Sequence, residues 1–295
     1  MTLSSYQVFR AVANVGSFQK AADILGLTPS AISHTISSLE KELGFALLTR
    51  SRGGVTLTSY GEQLLPYVNA VLNTDESLQQ AVSELNGLQQ GRVRIGTFSS
   101  VCTNWIPEII RGFQEKYGRI SIEVYEGTYD DLYYWIRNGI VDFGFLSVSG
   151  ARDLSILPLY RDPLVCVFPK GGRKRQSREP VTVEELRDYH FVSQRESTDA
   201  DIQNFMRENA LSISSDYHVV DDLSTVALVK NGFGICLMPE LVMRDIPYDV
   251  ECYPLDVDAA RIIGLAAEKP EFMAPAVRAM YRYIIAGYQQ DWAAK

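Results

Sequence analysis

The sequence predicts a small winged helix-turn-helix head of α+β class, a long linker helix, and an α/β body. Three observations predict it. Apolar residues step by three and four through residues 3–43 and again through 64–85, two short β-prone runs flank a Gly-Gly dipeptide at 47–58, and strands alternate with helices from Gly91 onward. The expected boundaries are 1–58 for the head, 59–90 for the linker helix and 91–295 for the body.

In the head, Tyr6, Phe9, Val12 and Ala13 recur at helical spacing. Ser17 is placed to cap a second helix with Phe18, Ala21, Ala22 and Leu25 on its inner face, and Gly26 is placed to stop it. Thr28 caps a third helix, with Pro29 in the first turn, where a missing N–H costs nothing. The third helix has two faces. Ile32, Ile36, Leu39 and Leu43 form its apolar stripe, while Ser30, His34, Ser37 and Lys41, with Ser33 beside them, form a polar one without a carboxylate until Glu40. Short polar groups of this kind reach base edges in a major groove without repelling phosphate; a solvated amphipathic face is the plainer alternative. Residues 47–58 read as a hairpin with a Gly53-Gly54 turn, so that Arg50 and Arg52 stand just before its tip and within reach of phosphate or a narrow minor groove. The expected DNA contacts are therefore Ser17, Thr28, Ser30, Ser33, His34, Ser37, Lys41, Arg50 and Arg52.

The charge distribution agrees. Net charge is −8, but the first 58 residues carry five basic and three acidic side chains, +2, leaving −10 for the remainder. The run Phe9, Gly16-Ser17-Phe18, Ala21-Ala22, Leu25, Ala31-Ile32-Ser33, Leu39-Glu40, Leu43-Gly44, Leu47-Leu48-Thr49-Arg50, Leu57-Thr58 and Gly61 resembles the head of LysR-type transcriptional regulators. Leu48 stands where that family usually has Phe, and Pro29, His34 and Thr35 stand where Gln, Arg and Gln are common. The resemblance implies a DNA-binding transcription regulator that forms homodimers or homotetramers, bends promoters and recruits RNA polymerase. It also implies a body of the type 2 periplasmic-binding-protein fold.

Ser59 and Glu62 have the form of a capping box opening a helix to about Leu88, roughly 45 Å of rod. Leu64, Val68, Val71, Asp75, Leu78, Val82 and Leu85 step by four and three along it, a coiled-coil seam and the expected dimer contact.

The body is expected to divide into lobe I (about 91–165 and 265–295) and lobe II (about 166–264), the chain crossing near Phe168 and returning near Gly264. Asn231-Gly232-Phe233-Gly234-Ile235 with Met238-Pro239, and Val141-Asp142-Phe143-Gly144-Phe145, resemble recurring elements of the LysR effector domain, whose lobes clasp a small ligand. Ligands of open α/β sheets bind beyond the carboxyl ends of the strands. In lobe I those ends carry Thr97, Ser99 and Ser100, then Gly127 and Thr128, then Ser147 and Ser149. In lobe II they carry Ser193, Gln194, Arg195, Ser197 and Thr198, with Val226 on a later helix. Hydroxyls and Arg195 suit a small organic acid or similar polar metabolite as effector.

Other classes are less well served. No apolar run approaches the ~20 residues of a membrane span, and the amino terminus lacks a basic and an apolar region, so a cytoplasmic address without membrane contact is expected. Three histidines in separate contexts, and Cys102, Cys166, Cys236 and Cys252 without a Cys-x-x-Cys pair, predict no metal site and no cofactor beyond the effector. No catalytic motif is present, so a non-enzyme is expected; a binding-protein-like metabolic enzyme fused to a helix-turn-helix and a cysteine-based redox sensor are the alternatives. The basic loop Gly171–Arg178 reads as a solvated surface segment.

Overall fold

Three side-chain caps start the three helices of the head. Thr2 opens α1 (Leu3–Val15), Ser17 opens α2 (Phe18–Leu25) and Thr28 opens α3 (Pro29–Leu43), each oxygen accepting the N–H three residues on at 3.2, 3.4 and 3.2 Å. Ile32, Ile36 and Leu39 of α3 pack against Phe9, Val12, Ala21 and Ala22 in a common core. The wing is β1 (Leu48–Ser51) paired antiparallel with β2 (Gly54–Leu57). It docks on the α1–α2 turn, where the Val55 N–H donates to the Gly16 carbonyl at 2.9 Å. Gly16 turns the chain at φ +62°, a left-handed conformation that glycine adopts without strain.

The computed structural model describes residues 1–51, 54–85, 90–174, 179–194, 200–211, 217–219, 221–244 and 246–293. They form two compact units, Met1–Gln90 with Arg137–Ile140 and Gly91–Ile136 with Val141–Lys295. The last described pair of the wing is Ser51 with Gly54, so Gly54 is a strand residue rather than part of a Gly-Gly tip. Arg52 and Gly53 lie outside the described residues.

The long helix α4 spans Ser59–Leu85. Its cap is Thr58, one residue before the expected Ser59: the Thr58 hydroxyl accepts the Gly61 N–H at 3.1 Å and donates to the Ala46 carbonyl at 2.8 Å. A β-carbon on Gly61 would lie 2.2 Å from the Leu47 carbonyl oxygen, which fixes glycine where α4 crosses the start of the wing.

The second unit begins with β3 (Gly91–Thr97), α5 (Ser99–Asn104), α6 (Ile106–Lys116), β4 (Ile120–Glu126), α7 (Tyr129–Arg137) and β5 (Phe143–Ser147). Trp105 separates α5 from α6, and Pro107 stands in the first turn of α6, where a missing N–H costs nothing. The 15-residue β6 (Ser155–Pro169) follows, then α8 (Val183–Leu186), β7 (Ser193–Gln194), α9 (Ala200–Glu208), β8 (His218–Val219) and α10 (Asp222–Lys230). The unit closes with β9 (Cys236–Pro239), α11 (Glu240–Met243), β10 (Val250–Pro254), β11 (Ala260–Ala267) and α12 (Pro275–Ala293).

Strand β6 belongs to both lobes. Residues 155–163 pair with β11 in a sheet ordered β4-β3-β5-β11-β6, whereas residues 164–169 pair with β9 and β10. The chain thus passes between lobes at 163–164 and 259–260, several residues before the expected Phe168 and Gly264. Pro163 lies at the switch: it is the last β6 residue opposite β11, and Leu164, the first opposite β9, donates its N–H to the Ala259 carbonyl at 2.9 Å. Each lobe has its own core, one around Phe113, Phe143 and Phe145 and another around Cys166, Phe168 and Leu237.

Candidate functional site

In the head, burial of Ile32, Ile36 and Leu39 turns Ser30, His34, Ser37 and Lys41 outward, and all four are exposed. Glu40 does not share that face, because its Oε1 accepts the Leu47 and Leu48 N–H groups at 2.8 and 3.1 Å. Its negative charge is engaged at the start of the wing and spared from the helix surface. Thr28 and Ser17 are occupied as helix caps, Thr28 exposed and Ser17 half-buried. Arg50 does not extend freely: its guanidinium lies 4.4 Å over the Phe18 ring and its Nη2 donates to the Ser33 hydroxyl at 3.1 Å. Wing and recognition helix therefore present one preassembled polar surface. Arg52 lies outside the described residues.

The expected seam of α4 separates into two parts. Val68, with Leu65 and Leu72, is buried in the head core and the half-buried Leu64 packs against it, so these two residues of the seam are engaged within the head. Val71, Leu78, Val82 and Leu85 remain 45, 63, 49 and 87% exposed, an apolar stripe with spacings of seven, four and three. Asp75 accepts from Gln79 Nε2 at 2.9 Å.

In the body, the antiparallel register of β6 and β11 sets Asp162 opposite Arg261, both buried. Asp162 Oδ2 accepts from Arg261 Nε and Nη2 at 3.0 and 2.6 Å, and Oδ1 accepts the Leu241 N–H at 2.9 Å. Arg261 also donates to the Ser100 hydroxyl at 2.8 Å, reaches the Tyr129 hydroxyl at 3.5 Å, and stacks 4.8 Å over Phe98. This cluster stands where the chain passes between lobes. Beside it Ser147, at the end of β5, donates to Asp201 Oδ1 at 2.9 Å, and its Oγ lies 3.1 Å from that of Ser149. Burial raises the Asp201 pKa even though Ser147, Ser149, Arg261 and Tyr129 act in the opposite direction.

Of the expected effector residues, the structure brings Ser100, Ser147 and Ser149 into this cluster. Ser99 is exposed and its carbonyl accepts from the Thr103 hydroxyl. Thr97 is fully buried, with its hydroxyl on the Phe98 carbonyl. Thr128 and Asp131 cap α7 reciprocally, which occupies the Thr128 hydroxyl. A β-carbon on Gly127 would lie 2.6 Å from Trp135, so that position is shaped by packing. Val226 is fully buried among Val165, Val192 and Val229 and has no surface for a ligand. The side chains of Ser193 and Gln194, and all of Arg195, Ser197 and Thr198, lie outside the described residues. Sequence reasoning missed Asp162, Tyr129, Asp201 and Arg261. The available signal was charge inside a strand: Asp162 interrupts Leu159–Phe168 and Arg261 heads Ile-Ile-Gly-Leu-Ala-Ala.

The loop read as solvated is partly buried. Arg173 pairs with Glu185 through two contacts of 2.9 Å, donates to the Glu179 carbonyl at 2.7 Å and stacks on Tyr253; residues 175–178 lie outside the described residues. Cys236 and Cys252 both stand opposite Val167, on either side of β6. Two strand spacings, about 9.5 Å, separate their backbones, too far for a disulfide. Cys166 points to the other face of the sheet, and burial pushes the Cys166 and Cys236 thiols up, away from the reactive thiolate.

A family model described as the LysR substrate binding domain matches residues 86–289, and one described as a bacterial regulatory helix-turn-helix protein of the lysR family matches residues 3–62. The chain belongs to the LysR family. This LysR-type transcriptional regulator combines a DNA-binding helix-turn-helix domain with an effector-binding domain. It is 29% identical over 279 residues to the probable HTH-type transcriptional regulator LrrA of Synechococcus elongatus, the match covering 94% of each chain. It shares its fold with full-length OxyR C199D from Pseudomonas aeruginosa (TM-score 0.77, 19% identity, 97% of this chain and 95% of that one). The effector-binding domain of QuiR in complex with shikimate matches with a TM-score of 0.61 and 20% identity, over 68% of this chain and 98% of that one. Among the described residues no helix of the LysR-family chain is long and apolar enough to cross a membrane.

Proposed function

We propose that this LysR-type regulator works in the cytoplasm as a homodimer, reads a duplex operator through α3 and the wing, and takes a small organic acid between the lobes of its body. The observation that carries the reading is the outward face of α3. Ser30, His34, Ser37 and Lys41 are exposed together while the nearest carboxylate, Glu40, is drawn off to two backbone amides. A helix face without negative charge, beside a stacked arginine, fits a major groove between phosphates.

Pairing through Val71, Leu78, Val82 and Leu85 would present two such faces to two half-sites. In the body, Ser100, Tyr129, Ser147 and Arg261 supply donors suited to a carboxylate, the group that shikimate carries in the QuiR complex. Ligand closes the lobes and alters how the paired heads sit on DNA and recruit RNA polymerase; the ligand leaves unchanged, so the protein is not an enzyme.

Footprinting of the full chain on the DNA upstream of its own coding region tests the first part, with protection expected at two half-sites. A panel of small organic acids screened by thermal stabilisation tests the second. Consumption of a hit on incubation would favour an enzyme instead.

A further inference from the structure

The carboxylate of Asp201, on the first turn of α9 in lobe II, sits against the donors of lobe I. Ser147 donates to its Oδ1 at 2.9 Å, the hydroxyls of Ser149 and Tyr129 favour its charged form by hydrogen bonding, and Arg261 does so by its positive charge. The donors all come from β5, its following turn, α7 and β11, whereas the acceptor comes from the opposite lobe. The fit is incomplete, because Asp201 Oδ2 is buried with no hydrogen-bond partner among the described residues.

We infer that Asp201 is a built-in counter-ligand: its side chain occupies, in the empty protein, the place that the carboxylate of an acid effector takes. This deepens the reading of the inter-lobe cluster as an acid site and rests on it. A side chain and an effector that need the same Ser147 hydroxyl exclude one another, so the effector must first displace Asp201. With Oδ2 lacking a hydrogen-bond partner among the described residues, displacement costs less than for a fully bonded carboxylate, since an expelled Asp201 regains water on both oxygens. An effector whose carboxylate engages both oxygens replaces a contact that leaves Oδ2 unpaired among the described residues. The apparent affinity for acids is then set by how often Asp201 is away from the cradle.

Acetate, the free equivalent of an aspartate side chain, is the direct probe. The full chain is titrated with acetate, or with neutral acetamide, at constant ionic strength while thermal stability is read. Asp201→Ala should respond to acetate at a concentration about tenfold lower than wild type, and acetamide should do nothing. Asp201→Ser serves if the alanine variant folds poorly. Adding Ser147→Ala to either variant should remove the response. If wild type and Asp201→Ala respond at the same acetate concentration and Ser147→Ala removes both responses, the acid site stands and the counter-ligand falls. If neither responds, or acetamide works equally, both are overturned.

Discussion

Arg261 holds four groups at once, Asp162, Ser100, Tyr129 and the Phe98 ring, from a position with almost no solvent contact. Removing one partner of such a pair leaves a buried charge unopposed. Arg261→Met should therefore cost about 3–5 kcal/mol in urea unfolding, and adding Asp162→Leu should recover much of it; equal losses in single and double variants would show that the pair is not the unit. Two aspartates respond to pH with opposite sign. Burial raises Asp201, so the folded chain holds that proton more tightly than the unfolded chain. Its penalty is present at neutral pH and relieved as the pH falls through its folded value toward the ordinary 3.8. Asp201→Asn should accordingly be more stable than wild type at neutral pH, with the difference vanishing in acid. Asp221 is the reverse case. The hydroxyl and amide of Ser224 hold its carboxyl below 3.8, so its capping of α10 stabilises at neutral pH and is lost as the pH falls below that range. Asp221→Ala should cost about 1 kcal/mol at pH 7 and less in acid, measured by thermal unfolding.

The elements of the head were legible because each boundary is written in one residue: Ser17, Gly26, Thr28 and Pro29 act in the structure as their chemistry predicts. The linker helix was legible in existence but not in use. Leu64 and Val68 continue the same three-and-four stepping as Val71 to Leu85, and periodicity does not reveal whether a stripe meets the head or another chain. Glu40 shows the same gap: its spacing places it beside the polar face, and only the approach of the Leu47 and Leu48 amides reveals where its charge goes. At this level the join between α4 and the wing is tight. Gly61→Ala forces a β-carbon onto the Leu47 carbonyl and should destabilise the head by about 1–3 kcal/mol, read as a lower melting temperature. Val71→Asp with Leu78→Asp should give monomers in sedimentation without loss of helix content, since both side chains are exposed within one chain; a double variant that stays dimeric would place the interface elsewhere.

For the molecule as a whole, the alternation of strands and helices marked an α/β body and the resemblance to the LysR effector domain implied its two lobes, but the inter-lobe cluster was largely hidden. Asp162 and Arg261 are 99 residues apart and meet only through the register of β6 and β11, which no local pattern specifies. Of the hydroxyls expected at strand ends, Ser100 and Ser147 come together in the cluster, whereas Thr97 is buried on the Phe98 carbonyl and Thr128 is engaged in capping α7; Val226 is held in the core. Recognition of DNA depends on the exposed side of α3, and charge reversal there tests it most directly. Fluorescence anisotropy of the full chain on its own upstream DNA should give an affinity that falls steeply with added salt, and Ser37→Glu should weaken it by about tenfold or more through repulsion from phosphate, with unchanged helix content. An affinity indifferent to salt, or a Ser37→Glu variant that binds as wild type does, would place the duplex on some other surface.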